Sequence, residues 1–243
     1  MVTTKSIDYE VDGKPYKGFL ACNQEDGKTL PGILIAHAWM GLDDFAKNKA
    51  IELAKMGFAA FACDVYGEGT SVTTKEEATE LMLPLYKDRK ELQKRINGSF
   101  DIMKNFECVD QDKTGAIGFC FGGLTVLELL RSGADCKRLV SFHGVLSDQM
   151  GDVQAQRPAN ATMSGSILFL HGHDDPLMST SDIQNVLKEL SDSQVDWQFH
   201  AYSGTKHAFT NPDAKDSSMG LMYNPLSEKR AWQAMQNFFK EVF

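Results

Sequence analysis

A run of small and apolar residues, Thr114-Gly-Ala-Ile-Gly-Phe119, leads into Cys120-Phe-Gly-Gly123 and then into the helical pattern Leu124-Thr-Val-Leu-Glu-Leu-Leu130. Few local patterns restrict a chain so far. Glycines two residues before and two residues after Cys120 let a buried strand turn sharply into a helix, because side chains there would hold the two apart. The arrangement is that of a G-x-S-x-G nucleophile elbow with cysteine in the serine's place. It demands a strand that ends at a sheet edge and a helix that packs back on the same sheet. It also sets Cys120 at a helix N-terminus, where unpaired N–H groups favour a thiolate. The competing reading is a glycine-rich turn around a buried, inert cysteine.

A cysteine nucleophile needs a base to take its proton and a third group to orient that base. In elbow folds these partners follow the nucleophile in the order acid, histidine. The apolar run Ser166-Ile-Leu-Phe-Leu170 reads as a buried strand and leads into His171-Gly-His-Asp-Asp175-Pro-Leu177. A second strand pattern, Val195 to Tyr202, leads into the loop Ser203-Gly-Thr-Lys-His207-Ala-Phe-Thr-Asn-Pro212. A carboxylate and a histidine therefore follow Cys120 in the required order, each just past a strand.

The rest of the chain agrees with an α/β reading. Ser6–Val11 and Tyr16–Ala21 flank Asp12-Gly13, a hairpin signal. Gly32–Ala36, Phe58–Ala62 and Arg138–Phe142 read as buried strands, and Asp43 is a cap for a helix with Ala46, Ala50, Leu53 and Ala54 on one face. A helical region is expected from a capping box Thr73-x-x-Glu76 to about Phe106, interrupted near Pro84 and Asn97-Gly98. Another helix spans Asp182 to Leu190, and a terminal one opens at Ser227 with Ala231, Met235, Phe238 and Val242 buried. An N-terminal antiparallel hairpin followed by βαβ units gives a mostly parallel sheet with helices on both faces.

With 243 residues, 42% of them hydrophobic, the chain suits a single domain over 1–243. The net charge of −8 argues against a nucleic-acid partner. No leader-like apolar segment and no 18-residue apolar run occurs, so no membrane partner is expected. Five scattered cysteines, odd in number and without CxxC spacing, indicate neither a disulfide framework nor a zinc ribbon and point to a cytoplasmic setting.

Taken together, Gly-Phe-Cys120-Phe-Gly-Gly, Ile-Ala-His37-Ala-Trp39-Met-Gly-Leu42, Asp64-Val-Tyr66-Gly, Asp174-Asp175-Pro and His207-Ala-Phe209-Thr-Asn-Pro resemble the dienelactone hydrolase family of α/β-hydrolases. The resemblance runs from about residue 5 to the C-terminus. It implies an α/β-hydrolase fold and hydrolysis of a small ester or lactone through a thioester acyl-enzyme. By residue, it implies Cys120 as nucleophile, His207 as base and Asp175, from the pattern Gly-x-x-Asp-Pro, as the orienting acid. Backbone N–H groups of Phe121 and Trp39 would form the oxyanion hole. Tyr66, Arg89 and Phe209 are the expected substrate contacts. No cofactor is implied, and the expected assembly is a monomer or small homo-oligomer.

Two positions depart from the family pattern. The family's glutamate beside the nucleophile is Ala38 here, and its carboxylate-binding arginine after the catalytic histidine is Asn211. The reaction type survives these changes, whereas the dienelactone substrate itself does not clearly do so. His171 and His173 with Asp174 and Asp175 have some look of a metal cluster, but a zinc-hydrolase pattern H-x-H-x-D-H would need histidine where Pro176 stands, so no metal is expected. His37 and His143 each end a strand and read as structural or pocket-lining residues. The alternative function is a hydrolase-fold protein that binds a ligand or partner without turnover.

Overall fold

The structure is a computed structural model that describes residues 1–23 and 27–243. Strands β1 (Thr3–Val11) and β2 (Lys14–Cys22) form the expected hairpin, with Tyr9 opposite Tyr16 and left-handed backbone at Asp12 and Gly13 closing it. Strands β3 (Leu30–Ala36), β4 (Ala59–Cys63), β5 (Val109–Phe119), β6 (Arg138–Phe142), β9 (Ser166–Gly172) and β10 (Trp197–Tyr202) complete an eight-stranded sheet in the order β1-β2-β4-β3-β5-β6-β9-β10. The hairpin joins antiparallel to β4, and from β4 to β10 every pairing is parallel. Between β6 and β9, Gln149–Met150 (β7) and Val153–Gln154 (β8) make a small separate ribbon.

Helices cover both faces because the central strands are apolar on both. Along β3, Ile33 and Ile35 face one core while Leu34 and Ala36 face the other. The first core is closed by α1 (Asp44–Lys55) and α6 (Pro225–Lys240). The second is closed by α2 (Lys75–Lys87), α3 (Arg89–Lys104), α4 (Phe121–Arg131) and α5 (Thr180–Asp192). Asp43 caps α1 as expected, accepting from the Ala46 N–H at 3.0 Å. Among the described residues no helix is long and apolar enough to cross a membrane.

Helix boundaries differ from expectation: α5 runs two residues further at each end than Asp182 to Leu190, α6 opens at Pro225 rather than Ser227, and larger differences lie elsewhere. The cap of α2 is Thr74, paired with Glu77, one residue later than the Thr73 box. The break falls at Asp88, which caps α3, while Pro84 lies inside α2 and Asn97-Gly98 inside α3. Pro84 is tolerated because the carbonyl it orphans belongs to exposed Glu80 and can bond to water. Gly98 serves close approach rather than interruption, since a Cβ there would sit 2.6 Å from the Val11 side chain of β1. At the C-terminus, Ala231, Met235 and Phe238 are buried as expected, but Val242 lies beyond the end of α6 and is 43% exposed.

Candidate active site

The elbow forms between β5 and α4. Cys120 has φ 55° and ψ −114°, a strained conformation for a residue with a side chain. Its glycine neighbours make this possible: a Cβ on Gly118 would overlap the Gly122 carbonyl, and one on Gly122 would overlap the Ala36 carbonyl of β3. The half-buried thiol stands at the N-terminus of α4 without capping it.

The two partner loops leave the same edge of the sheet. Asp175, just past β9, is 4% exposed, and its Oδ2 accepts from His207 Nδ1 at 2.7 Å. Its Oδ1 accepts from the Leu177 N–H at 2.9 Å, which fixes the carboxylate plane. Asp174 is exposed and takes no part in this bond. His207 is 1% exposed and is pinned by its backbone: its N–H donates to Gly220 at 3.0 Å and its carbonyl accepts from Met222 at 3.0 Å. The segment that holds it is tied in turn to the start of α2 by a Lys75–Asp216 ion pair at 2.7 Å.

Because Nδ1 donates to Asp175, the other nitrogen of His207 is Nε2, which makes no hydrogen bond among the described residues. The Cys120 sulfur nevertheless lies close enough to bear on its charge. Burial works against an imidazolium here, but the sulfur and the Asp175 carboxylate outweigh it and raise the His207 pKa to about 10. The arrangement therefore favours the imidazolium form of His207.

The loop after β3 is braced from beneath. Buried Asp64 accepts from the N–H groups of Tyr66, Gly67 and Gly69 at 2.9, 2.8 and 2.7 Å. The Tyr66 hydroxyl then donates to the Trp39 carbonyl at 2.8 Å, and its ring stacks on Phe121 with centroids 6.2 Å apart. His37 donates from Nδ1 to the Ala38 carbonyl at 2.6 Å and accepts the Val65 N–H on Nε2 at 3.3 Å, so it is neutral. Among the described residues, neither the Trp39 nor the Phe121 N–H donates to another protein group.

The three expected substrate contacts occupy framework positions. The Tyr66 hydroxyl is engaged with Trp39, as above. Phe209 is fully buried, edge-on to His143 at 5.2 Å. Arg89 is fully buried, with its guanidinium 4.3 Å from the Tyr86 ring and Nη2 donating to the Ser147 carbonyl at 3.2 Å; its Nε and Nη1 have no partner among the described residues. Asn211 turns its side-chain oxygen to the Asp213 N–H at 2.9 Å. His171 is buried while His173 is exposed, so they do not share a face. A cleft of about 660 Å³ lies apart from these groups, between α5 and the 146–157 segment. Its Arg131 and Arg157 are paired with Glu189.

His143, read from sequence as structural or pocket-lining, stands among these groups. It is buried beside His207, with ring centroids 5.0 Å apart, and accepts the Cys120 N–H on Nδ1 at 3.2 Å. Nothing local in the sequence links residue 143 to residues 120 and 207; only the order β5-β6-β9-β10 in the sheet does.

The model of the dienelactone hydrolase family matches residues 17–243. A probable 2-oxo-3-(5-oxofuran-2-ylidene)propanoate lactonase of Bradyrhizobium is 27% identical over 93% of this chain and 89% of its own length. The solved structure of a dienelactone hydrolase-like promiscuous phosphotriesterase from metagenomic libraries is 34% identical, with a TM-score of 0.91 over 100% of this chain and 99% of that one. The solved structure of m3DLH is 36% identical, with the same TM-score of 0.91 and the same coverage, 100% and 99%.

Proposed function

This chain belongs to the dienelactone hydrolase family, and we propose that it cleaves small esters or lactones through Cys120, His207 and Asp175. The observation that carries this reading is the buried His207 imidazole, held by Asp175 on one nitrogen and unbonded on the other beside the Cys120 sulfur.

In the proposed cycle the Cys120 thiolate attacks the carbonyl carbon, and the carbonyl oxygen takes up the negative charge. The Trp39 and Phe121 N–H groups receive that charge, each contributing roughly 3 kcal/mol to the transition state. As the tetrahedral intermediate collapses, His207 gives its Nε2 proton to the departing alkoxide, leaving a thioester on Cys120. A water then yields its proton to Nε2 and attacks the thioester, and the thiolate departs to restore the ion pair. Asp175 holds the ring so that Nε2, not Nδ1, faces the chemistry. Ala38 leaves no carboxylate at the family's glutamate position, so thiolate formation rests on His207 and the α4 N-terminus.

The test is turnover of a panel of activated esters and lactones, with mass spectrometry of quenched protein for an acyl adduct on Cys120. A phosphotriester belongs in the panel because of the metagenomic relative. Turnover unchanged in Cys120→Ala would overturn the reading, and a wild-type protein that binds panel members without turnover would favour the non-catalytic alternative.

A further inference from the structure

Three residues with side chains have left-handed backbone around the site: Cys120 at φ 55°, His143 at φ 39° and Ala208 at φ 56°. Backbone of this kind is strained and persists only where its surroundings over-determine it. The three lie on separate segments: the elbow, the end of β6, and the loop after β10. One side chain spans all three segments. The His143 imidazole accepts the Cys120 N–H on Nδ1 at 3.2 Å, and its Nε2 pairs with the Thr210 hydroxyl at 2.8 Å. Its ring meets His207 edge-to-face at 68°.

The backbone binds the same groups together. The Cys120 N–H also donates to the Phe142 carbonyl at 3.1 Å, the Cys120 carbonyl accepts from Val145 at 3.3 Å, and the His143 N–H donates to Leu170 of β9 at 2.8 Å. A shift of the His143 ring would therefore move the turn that carries the thiol relative to the loop that carries the base.

We infer that His143 is a positioning residue: as a neutral imidazole protonated on Nε2, it sets the spacing between the Cys120 thiol and the His207 ring. This rests on the reading of Cys120 and His207 as nucleophile and base. The tautomer follows from its partners, since a peptide N–H can only donate and so leaves no proton on Nδ1. Nε2–H then donates to the Thr210 hydroxyl oxygen. The titratable groups facing the ring are His207, from the loop after β10, Cys120 from the elbow and His171 from β9. Burial first, then the neighbouring His207 and His171, hold the His143 pKa well below its ordinary value. Neutrality at position 143 is what permits a positive charge on a second imidazole 5.0 Å away.

The experiment compares iodoacetamide alkylation of Cys120 across about pH 5 to 9 in wild type, Thr210→Val, His143→Asn and His207→Ala. Thr210→Val removes the Nε2 partner and leaves the imidazole in place. His143→Asn keeps an acceptor near Nδ1 on a residue that tolerates left-handed backbone, but cannot reach Thr210. Both variants are expected to slow near-neutral alkylation by roughly tenfold and to move its acid limb to higher pH, while kcat falls more than KM rises. A purely structural His143 would lower the thermal midpoint and leave the alkylation profile of the folded protein unchanged. The inference is overturned if Thr210→Val and His143→Asn keep the wild-type profile while His207→Ala loses it. If His207→Ala also keeps that profile, the underlying reading of base and nucleophile falls instead. Should His143→Asn fail to fold, Thr210→Val decides alone.

Discussion

Adjacent carboxylates, Asp174 and Asp175, meet different surroundings, and chemistry separates them. Asp175 is buried with both oxygens bonded, while Asp174 faces water. Asp175→Asn is expected to lower kcat by about 100-fold or more, because a neutral amide no longer fixes the Nδ1–H tautomer of His207. Asp174→Asn is expected to stay within about twofold, as surface substitutions away from such features do. Steady-state assays that reverse this ranking would reassign the acid. Tyr66→Phe tests the brace under the proposed oxyanion loop: removing the hydroxyl frees the Trp39 carbonyl, and kcat is expected to fall about tenfold with KM nearly unchanged, an interaction felt in the transition state. At this scale the proposed order Cys120, Asp175, His207 can be read from the sequence, because each residue follows its own apolar strand. His143 and the Tyr66–Trp39 contact are not legible as supports, because no local motif marks them and the contacts arise only once the strands have paired.

Strands are more legible in the sequence than helix ends, and the reason is physical. Strands β3, β4, β6 and β9 are buried on both faces, so each carries a continuous apolar run that marks it in the sequence. The boundary between α2 and α3 depends on things a local reading does not contain: whether water reaches the Glu80 carbonyl, and which side chain comes against residue 98. Gly98 offers a test of that second dependence. In an open helix Gly98→Ala would stabilise by about 1 kcal/mol. Here the new methyl meets Val11, and overpacking of about 1–3 kcal/mol is expected to outweigh that gain. In a Val11→Ala background the sign is expected to reverse. Urea denaturation of the four proteins in this cycle measures the coupling, and additive effects would show that residues 11 and 98 do not compete for the same space.

For the molecule as a whole, buried histidines of opposite tendency shape stability against pH. His37, His143 and His171 have pKa values lowered chiefly by burial. A group of this kind contributes stability that is complete above its unfolded value and lost as pH falls below it. Each steepens the acid loss by up to about 1.4 kcal/mol per pH unit. His207 has the other sign: its pKa is raised from 6.5 to about 10, so its contribution is complete below 6.5 and fades as pH rises toward 10. Denaturation midpoints are expected to peak near neutrality, and the acid limb should become shallower in His37→Gln. An unchanged acid slope in that variant would mean that His37 is protonated in the folded protein.

The proposed machinery is spread along the chain, and that spacing sets an order in time. Synthesis runs from the N-terminus, so the elbow leaves the ribosome well before the loops after β9 and β10. Until Asp175 and His207 arrive and dock, Cys120 has no base and no orienting carboxylate. Activation of the thiol is thus a late event in maturation, reached only when the far edge of the sheet closes around it. A nascent or truncated chain ending before β9 would carry an ordinary cysteine, and the reactive form would exist only in molecules whose folding had finished.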